Sequence, residues 1–273
     1  MSSDDLGDRM KGYEAAEDRR FDPMRPIYAR IDGRAFSRFT RGMQRPFDPG
    51  MADAMAATTS GLVERTHARM GYTQSDEISL VWLAEDECSQ VFFDGRVQKL
   101  ASVLAALTTV LFNDAIRRDP RMVAYVDRLP HFDCRVLQLP SRSEAANMFL
   151  WRELDAYRNA VSMVAQANFS HRSLQGQGRA DQLAMLAAAG VDFEGYPNRH
   201  KRGLFLRRRL VDRPLDECER MAIPEKHRPP PGAIFQRSEI AQMAMPPFVE
   251  VANRDGVVFD GEEPRVRQLE MST

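Results

Sequence analysis

Lysine is nearly missing from this 273-residue chain: four of its 38 basic residues are lysines (Lys11, Lys99, Lys201, Lys226), which leaves 34 arginines. Against 39 acidic residues the net charge is −1, and that excludes a histone-like binder that works by bulk charge. A GC-rich genome accounts for much of such an arginine excess. Arginine's planar fork nevertheless suits phosphate and carboxylate, so the positions of the arginines matter more than their number. Cysteine is also scarce. Cys88, Cys134 and Cys218 are odd in number and far apart, which excludes a disulfide framework or a zinc spacing and fits a reducing cytoplasm. The five histidines show no HxxxH or HExxH spacing and read as structural or surface residues. The longest apolar run, 100–112, contains Ser and Thr and is too short to span a bilayer. The N-terminus, MSSDDLGDRMKGYE, has no apolar signal core. We therefore expect a cytoplasmic protein with no membrane partner.

Apolar residues at 43% and charged residues at 28% describe a globular protein of one large or two small domains. No internal repeat is visible. A short helix is expected around 8–19, then a strand in PIYARID that stops at Asp32-Gly33. Asp48 reads as an N-cap with Pro49 at the first helical position, which predicts a helix over 51–70. YTQ-SDE-ISLVWLA predicts a hairpin turning at 75–77. A helix over 99–117 and a strand over 132–139 follow. The order is β-α-β-β-α-β, that of a ferredoxin-like α+β fold. Beyond it lies a long helix, 144–168, with an apolar stripe at Leu150, Leu154, Tyr157, Val161 and Val164. Its other face carries Trp151, Asp155, Arg158 and Ser162. A basic strand is expected over 203–210, then a proline-rich loop over 223–232 and a small β extension at the C-terminus.

In that topology the first and third strands are antiparallel neighbours, so Asp32 and Asp76 come together at one sheet edge. Two such carboxylates repel unless a cation lies between them, and hard oxygen ligands suit Mg²⁺. Paired ions about 4 Å apart are the basis of two-metal nucleotidyl transfer. Glu77 stands next in sequence as an outer ligand. The alternative is that 32–33 and 75–77 are only turn residues. Gly33, Arg34, Ala35 and Phe36 follow a strand and precede a helical turn, where backbone N–H groups can cradle a triphosphate. Arg45 and Lys99 are candidate phosphate clamps. Ser75 has no histidine partner and is rejected as a nucleophile. Arg199, Lys201, Arg202, Arg207, Arg208 and Arg209 form one dense basic run, read either as an RNA-backbone patch or as a solvated edge strand.

RIDGRAFSRF (30–39), RPFD (45–48), YTQSDEISLVW (72–82), QKLAS (98–102), FDCRVLQLPS (132–141) and LWRELDAYRNA (150–160) together resemble the tRNA(His) guanylyltransferase family and its guanylyltransferase-like relatives. The resemblance runs over about 8–210. It implies a polymerase-palm core over 1–140, a helical and basic-strand segment over 141–222 that completes it, and an extension over 223–273. It implies 3′→5′ nucleotide addition to the 5′ end of a tRNA, with GTP, ATP or other NTPs, two Mg²⁺ ions and a homotetramer. By motif, Asp32, Gly33 and Asp76 hold the metals, and Asp32, Asp76 and Glu77 are catalytic. Gly33, Arg34, Ala35, Phe36, Ser37, Arg45, Ser75 and Lys99 lie near nucleotide. Arg135, Arg152, Asp155 and Asn159 lie near the active site or the RNA 5′ end, and we add Arg199, Lys201 and Arg202 to the RNA set. Two departures stand out. Tyr157, Arg158, Asn159 and Ala160 replace a His-Ile-Asn-Asn sequence of eukaryotic members, and Gln182, Leu183 and Ala184 replace a Lys-Asn-Glu sequence. Both resemble the bacterial and archaeal subset, which favours template-dependent repair of truncated tRNA 5′ ends over the other expected activity, G addition to tRNA(His). A palm-type nucleotide cyclase and a non-catalytic RNA-binding protein are the competing readings. The presence of both Asp32 and Asp76 counts against the second.

Overall fold

The computed structural model describes residues 3–267. Helix α1 (Ser3–Ala16) precedes β1 (Ile27–Gly33), the short α2 (Phe36–Phe39), α3 (Pro49–Thr66), β2 (Met70–Gln74), β3 (Glu77–Trp82), α4 (Val97–Arg118) and β4 (Phe132–Gln138). Then come α5 (Arg142–Asn168), α6 (His171–Leu174), α7 (Arg179–Ala188), α8 (Asn198–Lys201), β5 (Leu204–Pro214), α9 (Glu217–Ala222), β6 (Ile234–Gln242) and α10 (Arg254–Phe259). The strands form one antiparallel sheet in the order β4-β1-β3-β2-β5-β6. Its first four members are the ferredoxin-like arrangement expected from the sequence.

Alternation along β1 sets the layers. Ile27, Ala29 and Ile31 point to α3 and α4 and join a core with Met55, Leu62, Leu104 and Phe112. Tyr28 points the other way, into a second core with Phe149 of α5. Arg30 and Asp32 follow on that second face. The expected cap is present: Asp48 Oδ1 accepts a hydrogen bond from Met51 N at 3.0 Å, an interaction that stabilises a helix start by about 1 kcal/mol. Helix α3 ends at Thr66, four residues before the expected end. His67 takes a left-handed conformation (φ 54°), and Met70 and Gly71 already belong to β2. Gly71 is required there, because a Cβ would lie 2.6 Å from Val63 Cγ2 on α3. Helix α1 likewise starts and stops earlier than expected, at Ser3 and Ala16.

Helix α4 is longer than the apolar run that announced it. By length and composition it is the one described helix that could cross a membrane. One face is committed to the core through Leu100, Leu104, Phe112 and Ile116. The stripe of α5 differs from expectation. Leu154 is exposed, and the buried face is Phe149, Arg152, Glu153, Ala156, Ala160, Val161 and Val164. Hydrophobic periodicity misreads the first half of this helix because two buried positions there are charged. Past the proline-rich loop, β6 pairs along β5, and Phe248, Val251, Val257 and Val258 pack into the second core with Tyr28, Phe149 and Phe205.

Candidate active site

The end of β1, the turn before β3 and the start of β3 bring three carboxyl groups to one end of the sheet. Asp32 stands opposite Glu77 in the ladder, and Gly33 N donates to the Asp76 carbonyl at 3.0 Å. Gly33 has no room for a side chain: a Cβ would fall 2.3 Å from the Phe36 ring. Ser75, in the tight turn between β2 and β3, adopts φ 48°, a costly conformation for a residue with a Cβ. Its hydroxyl donates to Asp76 Oδ1 at 3.2 Å. Burial pushes the Asp76 carboxyl above the usual carboxylate range, and the charge of Asp32 adds to the shift.

A web of arginines holds the rest. Arg152 donates from Nε to Glu77 Oε1 and from Nη2 to Glu77 Oε2, both at 2.6 Å. Nη2 also reaches Asp155 Oδ2 at 2.9 Å, and Asp155 accepts from Arg158 and Asn159. Arg30 Nε donates to Asp32 Oδ2 at 3.1 Å and lies 3.9 Å from Glu77. Arg135, paired with Arg30 in the ladder, stands exposed 4.0 Å from Asp32. Glu77 is therefore a buried anchor for α5 in this structure. Despite Arg152, burial still raises its carboxyl above the ordinary range.

Asp32, Ser75, Asp76 and Glu77 border a cavity of about 900 Å³. Phe36, Ser37, Arg45, Arg152, Asn159 and Arg199 also line it, whereas Gly33, Arg34 and Ala35 stand just outside. Sequence reasoning missed the wall formed by Ala156, Ala160, Met163 and Ala167 of α5. Their 4, 3, 4 spacing was the available signal, since alanines at helical period (156, 160 and 167) leave room beside a helix. It also missed Phe47 and His200, whose rings stack at 4.8 Å on the same cavity. Burial lowers the His200 pKa, with Arg199 acting in the same direction.

The donor set suits a hard divalent cation. Asp76 has only the Ser75 hydroxyl as a side-chain partner. Asp32 and Asp76 are partly buried carboxylates, and such ions typically take one or two carboxylates together with substrate phosphates. Among the described residues no group of three or more His, Cys, Asp or Glu side chains forms a self-sufficient metal cage.

Residues 7–140 match the family model for tRNA(His) guanylyltransferase. A bacterial tRNA(His) guanylyltransferase (Thg1)-like protein, solved in complex with ATP, is 37% identical, covers 74% of this chain and 88% of its own, and superposes with a TM-score of 0.69. The chain belongs to the tRNA(His) guanylyltransferase family. The family's nucleotidyltransferase fold is thus the ferredoxin-like palm described above. A second bacterial Thg1-like structure, solved with GTP, is 29% identical over 90% of this chain and 94% of its own, with a TM-score of 0.70. An uncharacterized protein of Acanthamoeba polyphaga mimivirus is 29% identical over 76% of this chain and 78% of its own length. The tRNA(His) guanylyltransferase of Neurospora crassa is 27% identical over 65% of this chain and 64% of its own.

Lys99 lies away from the carboxylates, and the basic run, although its Arg199 lines the cavity, is largely paired within the molecule. Lys99 does not reach the cavity. Helix α4 starts beside the chain that precedes β1, where Val97 N donates to the Arg19 carbonyl at 2.9 Å, so Lys99 lies at the opposite end of β1 from Asp32. There it borders a separate cavity of about 250 Å³ with Phe93, Asp94 and Arg96. The basic run is largely engaged within the molecule. Arg199 pairs with Asp53 at 2.8 Å, and Arg202 lies 3.4 Å from Glu153 and over the Tyr157 ring. Lys201 is 4% exposed and pairs with Glu194 at 2.8 Å. Arg207 is buried against Glu262 and Glu263, and Arg208 donates to the Glu64 carbonyl.

Proposed function

We propose that this chain adds nucleotides in the 3′→5′ direction to the 5′ end of tRNA, as template-dependent repair of truncated ends, with GTP, ATP or other NTPs as donors. The observation that carries the reading is the juxtaposition of Asp32 and Asp76, tied together by the Gly33–Asp76 backbone hydrogen bond at the edge of a cavity of nucleotide size. The ATP and GTP complexes of the two bacterial relatives support nucleotide binding in this fold.

Asp32, the backbone of Gly33 and Asp76 would hold two divalent ions, Mg²⁺ by the chemistry of the donors. Such ions, when bound, would acidify the 3′-hydroxyl of the incoming NTP and neutralise the group that leaves the activated RNA 5′ end, pyrophosphate from a 5′-triphosphate or AMP from a 5′ adenylyl group made with ATP. The protein's own residues orient the reactants. Arg45 and Ser37 face the cavity where a triphosphate would lie, and Asn159 offers an amide from α5. Arg152 holds Glu77 and Asp155 in place, so the carboxylates do not have to reorganise when substrate arrives. Arg135 is free to meet the 5′ phosphate of the RNA. No protein nucleophile is required. The reading carries a cytoplasmic homotetramer, as the family resemblance implies.

The test uses a tRNA lacking its 5′ nucleotide, labelled NTPs, ATP and Mg²⁺. The expected result is extension at the 5′ end, lost in Asp32→Ala and Asp76→Ala. Extension that survives in either variant overturns the metal assignment. A cyclic product from NTP alone would instead establish the cyclase reading.

A further inference from the structure

Trp151 lies outside the cavity and has no part in the chemistry above, yet its ring meets the two arginines that hold Asp32 and Glu77. The residue is 46% exposed, and Leu154, three residues along the same helix, is 39% exposed. Large apolar side chains left in water next to a reactive centre mark contact surfaces more often than isolated exposed residues do. The ring is also held. The guanidinium of Arg152 lies 4.6 Å from its centroid and that of Arg30 lies 5.8 Å from it. Both arginines are anchored by carboxylates, Arg152 by Glu77 and Arg30 by Asp32. Both are largely buried, so they support the ring from the protein side and leave its open surface to solvent.

The surroundings of this ring suit one kind of partner. Arg135, on the strand next to Arg30, presents a guanidinium that is 62% exposed and only loosely paired with Asp32. An exposed indole beside an exposed cation is the combination that binds single-stranded nucleic acid, with the base on the ring and the phosphate on the cation. Asp32 thus separates two surfaces. On one side is the enclosed cavity, and on the other is an open ledge formed by Trp151, Leu154, Arg30 and Arg135. A nucleotidyl transfer at Asp32 needs one reactant on each side.

We propose that Trp151 stacks on the base at the 5′ end of the acceptor RNA, and so holds that end against Asp32 while the NTP occupies the cavity. This rests on the reading of the chain as a 5′-end nucleotidyltransferase. Its test does not depend on turnover alone. The protein has two tryptophans, and the other, Trp82, is 2% exposed, so quenching by an added ligand reports on Trp151. A 5′-truncated tRNA should quench the fluorescence of the wild-type protein, and the quench should vanish in Trp151→Phe. In steady-state extension, Trp151→Ala should raise the KM for RNA on the order of tenfold, with the KM for NTP unchanged. Trp151→Phe, which keeps a stacking face, should stay close to wild type. The proposal is overturned by RNA binding without quenching, by equal quenching with NTP alone, or by an unchanged RNA KM in Trp151→Ala. A wild-type protein that shows the quench but extends no RNA would overturn the proposed activity and leave the ledge standing as an RNA-binding surface.

Discussion

Arg152 of α5 and Glu77 of β3 are joined by two parallel hydrogen bonds of 2.6 Å, and both side chains are buried. This is the joint between the helix that walls the cavity and the strand that carries the neighbouring Asp76. Its geometry is the bidentate fork that only arginine provides.

Removing one partner of this pair strands a charge in the interior. Arg152→Ala should lower the unfolding free energy by about 3–5 kcal/mol. Arg152→Lys should recover only part of the loss, because a point charge cannot reproduce the fork. Urea unfolding followed by circular dichroism measures both. Equal stability in all three proteins would show that the joint is not structural.

At Asp76 stability and function pull in opposite directions. Its carboxyl keeps its proton to higher pH in the fold than in the unfolded chain. The stability it contributes is therefore fully present below the ordinary aspartate value of 3.8 and is lost as pH rises through the folded value. At neutral pH without divalent ions, Asp76→Asn should raise Tm, and the advantage should shrink as pH falls toward 4. The same variant should lose more than about a thousandfold in nucleotide addition, the scale expected when several kcal/mol of transition-state stabilisation are removed. Thermal melts across pH, paired with the extension assay, test both halves.

Divalent ions should stabilise the folded protein through Asp32 and Asp76. At a free concentration one hundred times Kd, the gain is about 2.7 kcal/mol. We expect Mg²⁺ to raise Tm in the wild type, chelation with EDTA to reverse the rise, and Asp32→Asn or Asp76→Asn to abolish it. A full Mg²⁺ shift in either variant would locate the ion elsewhere.

Gly33 is sterically required. Gly33→Ala places a methyl group where the Phe36 ring lies, at 2.3 Å, and Phe36 packs against Phe39, Phe112 and Phe132. The expected cost is about 1–3 kcal/mol, with loss of extension activity as β1 shifts away from Asp76. A stable, active Gly33→Ala protein would show that Phe36 can move aside freely.

Much of the site can be read in the sequence because it depends on local chemistry and on strand order. The hairpin residues 72–82 and the strand ending at Asp32 are contiguous patterns, and an antiparallel β1–β3 pair follows from β-α-β-β-α-β order alone. That was sufficient to bring Asp32, Asp76 and Glu77 together. The apolar stripe of α5 failed at Leu154 because its inner face carries Arg152 and Glu153, whose burial is offset by partners far away in sequence. The position of Lys99 could not be read for a related reason. A helix start looks suited to phosphate in any sequence, but which end of the sheet it occupies depends on the direction of the crossover.

By itself the sequence determined the fold class, the pairing of the two aspartates and the family, since these rest on periodicity, turn residues and motif. Only the tertiary structure decided which charges are free. Most of the basic run at 199–209 is consumed by internal partners such as Asp53, Glu194 and Glu263, whereas Arg135 stays open beside Asp32. The physical reason is that an ion pair forms wherever opposite charges fall within a few ångströms of each other. That distance is set by packing between elements distant along the chain, which no local pattern of residues encodes.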